Sequence, residues 1–132
     1  MADATQLTDL QLALMRVLWD RGEATVADIA EALRPGRELA PTTVATLLSR
    51  LEKRGVVRHV SQGRQYLYRP RVSEGEVRHS MVSGLTDLLF GGDVAALMSH
   101  LLDAGSVRPG DLEKVRALIA DAQSRSRKGG GR

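Results

Sequence analysis

The chain has no cysteine, few aromatic side chains (one Trp, two Tyr and one Phe) and no apolar run near the ~20 residues that a membrane-spanning helix needs. Without cysteine there is no disulfide, no thiolate metal site and no cysteine nucleophile. With so few aromatics the core must be aliphatic, and the 42% of apolar residues is enough to build one. The opening "MADATQLTDL" lacks a charged segment followed by an apolar one, so no secretory signal is expected and a cytoplasmic location fits. His59, His79 and His100 are scattered, with no i,i+4 pairing and no acidic neighbour in a ligand pattern, so neither a metal nor another cofactor is expected. There is no glycine-rich phosphate loop and no G-x-S-x-G, and the expectation is a protein that is not an enzyme.

Acidic side chains are scarce in one stretch only. Residues 34–71 carry nine basic residues against Glu38 and Glu52, a balance of +7, whereas residues 73–123 carry four basic against eight acidic, a balance of −4. The net charge of +3 hides this asymmetry. It implies one part that faces a polyanion and another that does something else.

Helix signals are dense. Thr8 with Gln11 makes a capping box, Leu7 and Leu12 fit a hydrophobic staple, and Gly22 closes the first helix. Thr25 opens a second helix that Pro35-Gly36 closes. "APTTVATLLSRLEKRG" starts a third with Pro41 in its first turn and stops it at Gly55. Two β-rich runs, 56–61 and 65–69, then flank a turn in which Gly63 supplies a positive φ. After Pro70 only helices are expected. Ser73 and Glu76 cap the first of them, the second runs from about Val94 to Asp103, and the last begins near Pro109. The fold class is mainly α with a small β-hairpin: an N-terminal winged helix-turn-helix over residues 1–72, a three-helix dimerisation region over 73–123 and a disordered basic tail over 124–132.

The third helix has two faces. Val44, Leu47, Leu48 and Leu51 make a stripe for burial, and opposite them lie Thr42, Thr46, Ser49 and Lys53, flanked by Thr43, Ala45 and Arg50. A solvated helix face is usually rich in Glu and Lys, which are good helix formers, whereas threonine is a poor one. Three threonines in five positions fit a recognition helix (41–54), whose short side chains permit close approach to base edges in a major groove. Arg50 and Lys53 would then meet phosphates. The hairpin that follows (56–69) carries Arg58 and Arg64, a second set of cations suited to the backbone or minor groove. The candidate DNA-binding residues are therefore Thr42, Thr43, Thr46, Ser49, Arg50, Lys53, Arg58 and Arg64. The competing use of such a fold, protein contact alone, would dispense with the basic face and wing cations.

The C-terminal helices carry more apolar surface than three short helices bury between themselves, which points to self-association. The candidate seam is Met81, Leu85, Leu88, Leu89, Leu97, Met98, Leu101 and Leu118. No convergent set of polar groups marks a pocket in this half, and no small-molecule ligand is expected.

"LTDLQLALMRVLW", "TVADIAEAL", "APTTVATLLSRLEKRGVV" and "QYLYRP" together resemble the penicillinase-repressor (BlaI/MecI) family of winged-helix transcription factors over about residues 6–122. The resemblance implies a homodimer that binds double-stranded DNA at a palindromic operator and represses resistance or stress genes. It also implies a membrane sensor-protease system that ends repression by cleaving the dimerisation helices. The cleavage point aligns with Ser99 and His100, although the flanking residues differ from those of characterised relatives. The best-known repressors also carry basic residues where this chain has Thr42 and Ala45, which implies a different operator. The copper-sensing branch ends in a cysteine cluster, which this chain lacks.

Overall fold

The computed structural model describes residues 6–130. In chain order it contains α1 (Asp9–Arg21), α2 (Val26–Leu33), α3 (Pro41–Lys53), β1 (Val57–Gln62), β2 (Gln65–Pro70), α4 (Glu74–Phe90), α5 (Val94–Asp103) and α6 (Pro109–Gly130). Mostly helical with one antiparallel hairpin, this is the expected fold class.

Local chemistry explains the boundaries. Thr8 caps α1 and Gln11 returns the bond to the Thr8 N–H, while Gly22 ends the helix at φ +83°. Thr25 and Asp28 form a second capping box on α2, and Ser73 and Glu76 a third at the start of α4. In the hairpin β1 pairs with β2 from Val57 opposite Pro70 to Gln62 opposite Gln65. That register leaves Gly63-Arg64 as a two-residue turn. Gly63 has φ +64° and Arg64 does not, the pattern of a type II′ turn, which matches the twist of the flanking strands.

The chain divides into two compact units, the first ending at Leu85 and the second beginning at Thr86. The break falls inside α4 rather than at 72/73 where the sequence places it, because the first turns of α4 belong to the N-terminal core. Val77 is fully buried there and Met81 packs against the same cluster. That core is aliphatic: Leu14, Met15 and Leu18 of α1, Ile29 of α2, Val44, Leu48 and Leu51 of α3, with Val56 and Val57 at the root of the hairpin. Ala24 adds a single bridge to the hairpin, exchanging both backbone bonds with Tyr68 at 3.0 and 2.8 Å.

In the second unit α5 has no buried residue, and Leu88, Leu89, Leu102, Leu118 and Ile119 are all exposed. Helix α6 runs to Gly130, through most of the segment 124–132 expected to be disordered. The Asp121–Arg125 pair at 3.3 Å, one helical turn apart, supports that continuation, as does the good helix propensity of arginine. The last two residues of that segment lie outside the described residues. Among the described residues no single helix is long and apolar enough to cross a membrane.

Candidate nucleic-acid interface

Helix α3 buries Val44, Leu48 and Leu51 and half-buries Leu47, which fixes what its other side can present. Thr42, Thr43, Thr46, Ser49, Arg50 and Lys53 are all exposed on it. The Thr46 hydroxyl donates to the Thr42 carbonyl at 3.0 Å. Its hydrogen is thus committed to the helix, while its methyl group and its lone pairs remain for an incoming ligand. Arg50 and Lys53 stand in the last turn, where a cation also favours the helix dipole.

The hairpin adds two exposed cations, Arg58 on β1 and Arg64 in the turn. Arg58 pairs in register with Arg69, a like-charge opposition. Glu23 relieves it by binding Arg69 through Nε at 3.0 Å and Nη2 at 2.9 Å. Arg69 is therefore engaged within the protein, as is Arg54 at the end of α3. The Arg54 guanidinium donates to the Gln6 carbonyl oxygen and to Gln11 Oε1, the latter at 3.4 Å. Nine basic residues in the sequence stretch thus overstate the number that face outward.

Between the hairpin and the helices lies an open cleft of about 410 Å³, lined by Thr25, Val26 and Ala27 of the α2 start, Ala45 of α3, and Arg64, Gln65, Tyr66 and Tyr68 of the hairpin. The two tyrosines differ in role. Tyr68, the partner of Ala24 in the bridge, is buried, and its hydroxyl is pushed up from the usual phenol range by burial, then by the nearby Glu52 carboxylate and Tyr66. Tyr66 is half exposed and stacks on His59, with ring centroids 4.1 Å apart. Thr25 is engaged by its own helix. The Asp28 N–H donates to Thr25 Oγ1, and the Asp28 carboxylate, which accepts the Thr25 N–H, is held below the usual carboxylate range by that bond.

Sequence reasoning missed the Ala24 bridge, the cleft residues Ala27 and Gln65, and the contact between Glu52 and His59. Two positions apart on β2, Tyr66 and Tyr68 share one face, and it is the fold that covers Tyr68 and leaves Tyr66 half exposed.

Of the candidate seam residues, Leu85, Leu88, Leu89, Met98, Leu101 and Leu118 are exposed and Leu97 is half-buried. Met81 is turned toward its own N-terminal core and lines an apolar groove of about 240 Å³ with Leu12, Trp19 and Val77. Ser99 and His100 are exposed in the middle of α5, where His100 lies 5.8 Å from the Phe90 ring. Among the described residues no group of three or more His, Asp or Glu side chains could hold a metal ion.

The penicillinase repressor family model matches residues 7–121. The transcriptional regulator BlaI of Mycobacterium tuberculosis is 34% identical over 126 residues, covering 94% of this chain and 90% of that protein. The penicillinase repressor of Bacillus licheniformis is 20% identical over 122 residues, covering 92% and 95%. The solution structure of the DNA-binding domain of the repressor BlaI superposes with a TM-score of 0.51 at 29% identity, over 58% of this chain and 93% of that one.

Proposed function

The chain belongs to the penicillinase-repressor family and is a DNA-binding transcriptional repressor, and we propose that it acts as a homodimer on a palindromic operator, reading bases with α3 and holding the backbone with the hairpin. The observation that carries this reading is the exposed row Thr42, Thr43, Thr46, Ser49, Arg50 and Lys53, followed directly by a hairpin with exposed Arg58 and Arg64. Short hydroxyl side chains and threonine methyls suit base edges, and long cations suit phosphates. A winged helix used for protein contact alone has no need of this division.

The exposed apolar residues of α4, α5 and α6 support self-association through the C-terminal half. A two-fold dimer sets its two recognition helices on half-sites about one helical turn apart, which is why the operator is palindromic. As a DNA-binding regulator the protein works in the compartment that holds the chromosome. The family supports a resistance or stress gene as its target and release through a membrane sensor-protease system that cuts at Ser99–His100. An adjacent gene for a membrane metalloprotease would favour that release.

The test is selection of duplexes from a random-sequence pool by the full chain, followed by titration at several salt concentrations. An inverted repeat bound by two chains, with tighter binding than an unselected duplex, is the expected result. Binding that never exceeds the sequence-independent phosphate contribution would remove the operator reading.

A further inference from the structure

Between Pro41 and Pro70 the sequence has one acidic residue, Glu52. A carboxylate at a surface meant for phosphates opposes binding, so its presence there needs a reason. The structure supplies one. Glu52 sits in the last turn of α3, and one carboxylate oxygen accepts the backbone N–H of His59 on β1 at 3.2 Å. The two carboxylate oxygens lie 2.8 and 2.7 Å from the His59 Nδ1. The imidazole then lies nearly flat on Tyr66, planes 20° apart, and tilts toward Tyr68 at 5.5 Å. Both side chains are about two-thirds covered, with exposures of 30% and 32%.

We propose that Glu52 and His59 are positioning residues for operator selection: they set the angle between the wing and the recognition helix, so that bases and backbone are met in one register. A two-stranded hairpin is marginal alone, and this one projects Arg64 well beyond its root. The Ala24 bridge holds β2 at Tyr68, and the Glu52–His59 contact ties β1 to α3 at the rung directly opposite, since His59 pairs with Tyr68. Neither residue needs to touch DNA. A loose wing still finds phosphates anywhere on a duplex, but it no longer reinforces one placement of the threonine row. Discrimination therefore suffers while sequence-independent affinity does not.

The proposal rests on the DNA-binding reading, and the test separates the two. The full chain is titrated with a duplex that wild type selects from a random pool and with an unselected duplex of equal length, and each variant's melting temperature is recorded. Expected for His59→Ala is a roughly fivefold loss of preference for the selected duplex, the size of losing one ordinary hydrogen bond, with unchanged affinity for the unselected one. Glu52→Ala should lose the same preference yet bind the unselected duplex more tightly, and the double variant should lose no more than either. Glu52→Gln, which keeps an acceptor and drops the anion, should hold the preference.

Preference retained by His59→Ala, or losses that add in the double variant, would overturn the positioning role. So would a preference that falls only in step with melting temperature and is not restored by Glu52→Gln. A wild-type chain with no preference for any duplex would overturn the operator reading itself.

Discussion

Trp19 donates its indole N–H to the carbonyl oxygen of Val72 at 2.9 Å, which ties the end of α1 to the residue just before the α4 capping box. The bond is part-buried and joins residues 53 positions apart. Trp19→Phe keeps most of the apolar bulk and leaves the Val72 carbonyl unpaired. A loss of about 1–3 kcal/mol of unfolding free energy is expected, read from the urea midpoint at unchanged slope.

Arg64→Ala and Lys53→Ala should each weaken binding to every duplex by a similar factor. Both side chains are exposed and read as backbone contacts. Each variant should flatten the plot of log affinity against log salt by about one unit. Equal slopes in wild type and both variants would show that these cations never meet phosphate.

Thr46→Val removes a hydroxyl whose hydrogen already serves the Thr42 carbonyl and keeps the methyl group. If the methyl reads a thymine, the valine variant should retain that preference; if a lone pair accepts from a base, it should lose about 1–3 kcal/mol of discrimination. Thr43→Ala should alter base preference with little effect on melting temperature, since Thr43 is exposed. Selection experiments on both variants distinguish the outcomes, and wild-type preference in both would mark the threonines as a solvated face.

Leu88 is 82% exposed within one chain, so Leu88→Asp has little cost to the fold of a monomer. In a dimer seam it would bury an unpaired carboxylate, and sedimentation should then show monomers with weakened operator binding. A truncation meant to isolate the DNA-binding unit should end after Leu85, since a cut at residue 72 would strip Val77 from the core.

Asp28 has its carboxyl held below the ordinary range by the Thr25 N–H. A lowered folded-state value means that its stabilisation is complete above the unfolded value, about 4, and is lost as pH falls through the folded one. Asp28→Ala should therefore lower the melting temperature at neutral pH, with the gap to wild type closing in acid below about pH 4. A gap that stays constant down to pH 2 would contradict the capping role.

Those features that depend on a few neighbouring residues were legible in the sequence. Thr8 with Gln11, Pro41, Gly55 and Gly63 each encode a local backbone event, and each stands where expected. Periodicity also separated the buried stripe of α3 from its exposed row. It gives a face but not the partner of that face, which is why Met81 was grouped with the seam while it packs on its own core. The Ala24 bridge is one residue long and leaves no pattern to read. Glu52 and His59 are brought together by the reversal at Gly55, and only the angle of that reversal decides whether they meet.

Peptidases bind their substrates as extended strands, and the Ser99–His100 bond lies inside the regular helix α5. While that helix is formed, the bond cannot be threaded through a catalytic cleft, whatever its flanking residues. A cut there has to wait for α5 to unwind locally, so its speed follows the helix's own opening equilibrium. The Asp93 side chain, which accepts the Ala96 N–H, sets part of that equilibrium from the N-terminal cap of the helix. The lifetime of the intact chain would then be tuned by a residue that no protease reads.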